Sequence, residues 1–213
     1  MKVYFIPGLA ADKRVFRHIR LPDGYEAQYL EWLKPQVDES LRDYACRMAD
    51  QIMKDEPFIL IGLSFGGMLA VEIAKKMKPE QLILIATIPH HSHLPSYYRS
   101  AFKIGIHRLA SPAVIKNFVF FKRFFTSESS EDKQIIKQMA RDMDHSFIRW
   151  AVDAIMKWDA GDDEIDCIHI HGTHDEIFPY RLTQQSISIP KAGHLMIFNR
   201  ASEINHVLKQ LLT

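Results

Sequence analysis

The sequence predicts an α/β fold, a mostly parallel sheet with helices on both faces. Three observations predict it. Short apolar runs alternate with stretches whose apolar residues recur at helical spacing. Two of the runs, Phe58-Ile59-Leu60-Ile61-Gly62-Leu63 and Leu82-Ile83-Leu84-Ile85, are too apolar for strands with one wet face. The first of them stops at Ser64, between Gly62 and Gly66, and a helix pattern, Met68-Leu69-Ala70-Val71-Glu72-Ile73-Ala74, begins at once.

Taken in order, residues 2–6 form a first strand, stopped by Pro7-Gly8. Val15, Phe16 and Ile19 share one side of a short helix over 11–19, and 25–32 is a second strand. Leu41, Tyr44, Ala45, Met48 and Ile52 predict a helix over 38–54, broken by Pro57. After the 58–63 strand, the helix that follows Ser64 ends near Lys78-Pro79, with Lys75, Lys76 and Lys78 suited to its C-terminal dipole. Residues 81–87 are a fourth strand.

From about 89 to 163 only helical patterns occur. They cover 96–109, a segment opened by the Ser111-Pro112 N-cap, 130–143 and 146–158. Strands resume at 166–171 and 186–189, with a short helix over 179–185 between them and a closing helix over 199–212.

The totals bound what this chain does. It has 213 residues, 47% apolar and 25% charged, enough for one domain with an insertion. A net charge of +1, with no basic run interleaved with aromatics, gives no footprint for nucleic acid. Cys46 and Cys167 are far apart and read as reduced thiols. The first residues are too short an apolar run for a signal peptide, and no stretch approaches the ~18 apolar residues of a membrane span. A cytoplasmic protein without a membrane segment is the expectation.

The serine carries the chemistry. Strand, sharp turn and helix with serine at the turn is the context that Gly-x-Ser-x-Gly requires, and a Cβ at 62 or 66 would meet neighbouring backbone in so tight a turn. The alternative is a serine that merely caps the helix. A serine hydroxyl needs a base within hydrogen-bond reach, and the base needs an orienting acid. Two later loops end at the same sheet edge. One is Gly172-Thr173-His174-Asp175-Glu176 and the other Ala192-Gly193-His194. The order Ser64, Asp175, His194 is that expected for this architecture. Glu176 rivals Asp175, but the Gly-x-x-Asp pattern and the shorter side chain favour Asp175.

At these residues, together with Phe5-Ile6-Pro7-Gly8-Leu9, the chain resembles the α/β-hydrolase superfamily. The matching pieces follow strands in the family's order across nearly the whole chain. The resemblance implies Ser64 as nucleophile, His194 as general base and then acid, and Asp175 as orienting carboxylate. It implies an oxyanion hole from the backbone N–H groups of Leu9 and Phe65. Pro7 has no N–H, so the first-loop donor must come from Gly8 or Leu9. No cofactor and no metal are implied.

The chain departs from the family in three ways. Pro7 stands where many members have histidine. The family's usual first two strands are missing, which predicts a trimmed sheet of order 2-1-3-4-5-6. Asp175 and His194 are only 19 positions apart, so the helix between them must be a turn or two long. The core then comprises 1–88 and 164–213, and 89–163 falls where the family inserts a helical cap over the site. Of the cap aromatics, Phe118, Phe121, Phe125, Trp150 and Trp158 are expected to hold the cap together rather than all to line a pocket.

The remaining polar residues read as structural. His90, His91 and His93 lack carboxylate or thiol companions for a metal and read as exposed loop residues near the cap. His169 and His171 read as packed strand residues, His145 and His174 as surface residues, and 162–166 as a solvated acidic loop. The expected activity is hydrolysis of an ester or thioester of an apolar small molecule through an acyl-enzyme. The same fold and triad also serve lyases that deprotonate a bound substrate, and a third reading is a non-catalytic binding member.

Overall fold

The structure, a computed structural model, describes residues 1–53, 56–103, 129–161, 165–183 and 186–213. Among them, six strands form one sheet: β1 (Lys2–Ile6), β2 (Glu26–Tyr29), β3 (Phe58–Leu63), β4 (Gln81–Ile85), β5 (Ile168–Gly172) and β6 (Ile187–Ile189). Their order is β2-β1-β3-β4-β5-β6, and every neighbouring pair is parallel, as predicted. The α-helices of the described residues are α1 (Leu41–Met48), α2 (Phe65–Met77), α3 (Ser96–Lys103), α4 (Ser130–Asp142), α5 (His145–Lys157), α6 (Met196–Asn199) and α7 (Ala201–Leu212).

Side chains alternate across a strand, so each central strand feeds two cores. Tyr4, Ile6, Leu60, Leu82 and Leu84 pack with α1, α2 and α5. Val3, Phe5, Ile59, Ile61, Ile83 and Ile85 pack on the other face with α4, α6 and α7. All six residues of β3 are buried. With all strands parallel, their C-terminal ends share one edge, where Ile6 pairs with Gly62 and Gly172 with Ile189.

Several predicted helices are shorter. The 38–54 helix is α1, continued by a 3-10 turn at Ala49–Gln51. Asp38 sits at φ 53°, and Ser40 caps α1 by accepting from Asp43 N, so the helix starts there. The 11–19 helix is a 3-10 turn at Lys13–Phe16, capped by Asp12, although Val15, Phe16 and Ile19 are buried as expected. The 179–185 helix is a 3-10 turn at Tyr180–Leu182, with 184–185 outside the described residues. The closing helix breaks at Arg200 (φ −129°), separating α6 from α7, so that Ile204, Leu208 and Leu212 of α7 meet the sheet.

In the inserted stretch, Ser111-Pro112, Phe118, Phe121 and Phe125 lie outside the described residues. The two tryptophans that are described reach out of the stretch into the core, which corrects the expectation that they bind the cap to itself. Trp150 packs on Tyr44 of α1 at 4.3 Å between centroids and donates to Glu39 O. Trp158 donates to the carboxylate of Glu72 on α2 at 2.9 Å. Glu72 is 3% exposed and also accepts from Arg42 Nε at 3.1 Å. Lys75 donates to Ala160 O, so the last turn of α2 holds the chain just beyond α5. His90 and His91 do similar work. His90 Nε2 donates to Gly161 O and His91 Nδ1 accepts from Ala160 N, so both are half-buried ties rather than exposed loop residues.

Cys46 and Cys167 are free, and no helix among the described residues is long and apolar enough to cross a membrane. Glu72→Ala removes the acceptor shared by Trp158 and Arg42. It should cost about 2 kcal/mol in denaturant unfolding, the range for orphaning a buried donor. A loss within error of zero would show that the α2–α5 junction does not depend on this carboxylate.

Candidate active site

Ser64 lies between β3 and α2 with φ 51° and ψ −120°, a backbone conformation that L-residues rarely adopt. Three hydrogen bonds hold it there. Ser64 N donates to Ile85 O at 2.9 Å, and Ser64 O accepts from Gly67 N at 2.8 Å and from Thr87 Oγ1 at 2.6 Å. A Cβ on Gly62 would fall 2.5 Å from Gly67 Cα, and one on Gly66 would collide with the carbonyls of Ile6 and Pro7. Both glycines are therefore needed for the turn. Ser64 occupies the N-cap position of α2, but its side chain makes no cap hydrogen bond. The hydroxyl points away from the helix, at the imidazole of His194.

Ser64 Oγ lies 2.9 Å from His194 Nε2, and His194 Nδ1 lies 2.9 Å from Asp175 Oδ2. A carboxylate only accepts, so Nδ1 carries the proton and Nε2 is left to accept from the serine hydroxyl. Asp175 Oδ1 accepts from the N–H groups of Ile177 and Phe178, each at 2.9 Å. Burial pushes the Asp175 carboxyl up. His194, His171 and the Phe178 amide outweigh it and hold the group below the ordinary aspartate range. Asp175 is 4% exposed and Glu176 is exposed, which separates the two candidates.

The two loops that carry His194 and Asp175 are stapled together. Lys191 N donates to Thr173 Oγ1, and His174 N to Ala192 O. Lys191 adopts φ 58°, turning the chain out of β6 so that His194 faces Ser64. His174 and His145 are exposed, as predicted.

Behind Asp175 stands His171, fully buried on β5. Its Nε2 donates to Phe178 O at 2.7 Å and lies 3.5 Å from Asp175 Oδ2, and its Nδ1 is 3.2 Å from His169 Nε2. The packed reading of both strand histidines holds. What sequence reasoning missed is that His171 buttresses the loop presenting Asp175. The alternation His169-Ile170-His171 on a strand ending at Gly172 was the available signal. Thr87 was also missed, because its bond to Ser64 O spans 23 residues.

The first loop lies beside the serine. A Cβ on Gly8 would stand 3.3 Å from Ser64 Cβ, and Leu9 follows it in a turn closed by Ala11 N donating to Gly8 O. Phe65 opens α2, where first-turn N–H groups have no intrahelical partner. Leu9 and Phe65 thus flank Ser64 from two sides. Among the described residues, no group of three or more His, Cys, Asp and Glu could hold a metal ion.

Two predictions follow from these strains and burials. Ser64→Gly should be about 1 kcal/mol more stable than Ser64→Ala, because glycine relieves the positive φ. Equal midpoints in urea would mean that the turn stores no strain. The second concerns acid. Burial, then His171, push the His169 imidazole down from 6.5 to about 3. Below pH 6.5 the unfolded chain takes up a proton that the native chain refuses. Stability is therefore complete above that pH and is lost toward 3, by about 2 kcal/mol at pH 5 for this residue. His169→Phe should lose less stability between pH 7 and 5 than the wild type. Identical losses would remove His169 as the cause.

The sequence profile of the Alpha/beta hydrolase family matches residues 3–207. No curated protein matches the sequence. Among solved structures, the fold is similar to an esterase from Exiguobacterium antarcticum, with 18% identity and TM-score 0.76, covering 100% of this chain and 91% of that one. It is also similar to a bromoperoxidase from Bacillus anthracis, with 17% identity, TM-score 0.75 and coverage of 99% and 91%. Epoxide hydrolases from metagenomes of hot environments match at 14% identity and TM-score 0.67, with coverage of 100% and 90%. At such identities the likeness is one of fold. The profile match spans nearly the whole chain and coincides with the trimmed parallel sheet, so this protein belongs to the Alpha/beta hydrolase family.

Proposed function

We propose that this protein is a serine hydrolase that cleaves an ester or thioester of a small molecule through an acyl-enzyme. The observation that carries the reading is the unbroken relay from Ser64 Oγ through His194 to Asp175, with both links at 2.9 Å. His194 Nε2 takes the serine proton as Oγ bonds to the substrate carbonyl carbon. The oxyanion forms against the Leu9 and Phe65 amides. His194 then returns the proton to the leaving oxygen or sulfur, and that bond breaks. Water adds to the acyl-enzyme by the same steps in reverse roles, giving the free acid and restoring Ser64.

Each part of this scheme has a physical reason. The low-lying Asp175 carboxyl stays ionised and stabilises the imidazolium as it forms. Fixed amides aimed at the oxyanion reorganise little during reaction, and each donor is worth about 10²–10³ in rate. Ile136, Met139 and Ala140 of α4, which line a pocket with Ser64, act as part of a lid that keeps water from the intermediate. Two free, half-buried cysteines fit a reducing cytoplasm.

Ser64→Ala and His194→Ala should each lower kcat on p-nitrophenyl esters by about 10⁴–10⁶, with smaller losses for Asp175→Ala. A fluorophosphonate should label Ser64 in the wild type and not in Ser64→Ala. Labelling without ester turnover would favour a lyase that uses the relay as a base. Turnover that survives all three substitutions would overturn the assignment. Acid should slow the reaction by protonating the histidine base, so rates that rise toward pH 5 would contradict the mechanism.

A further inference from the structure

Beside Ser64 lies a small, partly open cavity of about 40 Å³. Ser64 and His194 are at its mouth. Its walls come from the turn after β1, with Leu9, Ala11 and Val15, and from the segment after His194, with Ile197 and Phe198. Its roof is α4, through Ile136, Met139 and Ala140. Apart from the groups at the mouth, these side chains are apolar. This is a small space, suited to a short chain rather than a long one.

The cavity is held at that size. Ala11, Val15, Ile136, Met139, Ile197 and Phe198 are all buried. The roof is tied to the wall at both ends. Asp132, at the start of α4, meets His18 at 2.8 Å, and Glu131 meets Arg17 at 2.6 Å. Asp142, at the end of α4, meets Arg14 at 2.7 Å. Arg14 lies in the same 3-10 turn as Val15, so the two sides of the pocket move together.

We propose that this cavity is the acyl pocket and that the substrates are esters or thioesters of two- or three-carbon acids. The inference rests on the acyl-enzyme reading above. Of the two groups on the scissile carbon, the leaving group must escape before water attacks, whereas the acyl group stays bonded to Ser64 Oγ through both steps. A narrow pocket with buried walls suits the group that stays. Its apolar walls suit a methyl or ethyl group, and it has no charged group to meet a carboxylate or amine. Met139 is the unbranched side chain of the roof, so it is the residue whose shortening lengthens the pocket.

The test is kcat/KM for p-nitrophenyl acetate, propionate, butyrate, hexanoate and octanoate, and for acetate esters of alcohols from ethyl to octyl. The wild type should peak at acetate or propionate and fall by about 10–100-fold by hexanoate, the discrimination that poorly fitting methylenes produce. The acetate esters should vary far less. Met139→Ala should shift the optimum toward hexanoate. A wild-type profile that is flat or rises with acyl length overturns the proposal while leaving the hydrolase reading intact. So does strong discrimination on the alcohol side with none on the acyl side. If no ester is cleaved and Ser64 takes no fluorophosphonate label in a folded protein, the hydrolase reading itself fails and the acyl pocket with it. Should Met139→Ala not fold, the wild-type series decides alone.

Discussion

The structure depends on one residue held in an unfavourable backbone conformation. Ser64 at φ 51° keeps its place because β4 accepts its N–H and because Thr87 and Gly67 share its carbonyl. Such strain costs of order 1–3 kcal/mol and persists only where surroundings over-determine it. Here the surroundings are the centre of the sheet. β3 is buried throughout, and α2 is buried from Phe65 to Ala74. Moving Ser64 to a relaxed conformation would shift these buried elements. The fold therefore supplies the rigidity that a serine nucleophile needs, and the sheet edge supplies its exposure to a base.

His194 and Asp175 are held by a different device. Asp175 is buried together with two imidazoles, His194 and His171, and an isolated carboxylate there would be costly. Backbone donors resolve the cost. Oδ1 takes two amides and Oδ2 takes the His194 N–H, so the charge is solvated by the protein. Burial pushes the His171 imidazole down, and its Nε2 ties the loop through Phe178 O. The short link from β5 to β6 needs no long helix because Thr173–Lys191 and His174–Ala192 bonds close it directly.

What was legible in the sequence follows from how local each signal is. The strands and the serine turn were readable because apolar runs, glycines and the following helix sit within a few residues of each other, whereas the strand order came from the family resemblance. Asp175 and His194 were readable as candidates from short patterns after strands, though their meeting across 19 residues is a tertiary fact. Helix ends were over-extended where a cap decided the matter, as at Ser40 and Asp12, or where the ladder stopped, as at Arg200. Thr87 and Trp32 were illegible as site residues. Each acts through a partner distant in sequence or through a backbone oxygen, and neither leaves a periodic trace. Trp32 donates to Ala11 O and stacks on Phe65, so a residue just beyond the edge strand braces the turn that follows β1.

That turn joins catalysis to selection. Ala10 adopts φ 61° and packs against Ala140 of α4 and Ile148 of α5, next to Leu9. The inserted helices thus press on the same short segment that would offer the Leu9 amide to the oxyanion. α4 joins the core of one sheet face and α5 that of the other, so the pair straddles the edge at Ser64. On the α5 side the neighbours are large rings, with Trp32, Phe65 and Phe147 in contact. On the α4 side they are small or aliphatic, with Ala10, Ala11 and Ala140 beside Ile136 and Met139. An acyl group that overfills the α4 side would push on α4 and, through Ala140, on Ala10. It would then misplace the neighbouring amide donor that its own transition state requires. Under the proposed function, poor fit would reduce kcat as well as binding, because the wall of the pocket and the turn that carries Leu9 are one piece of chain.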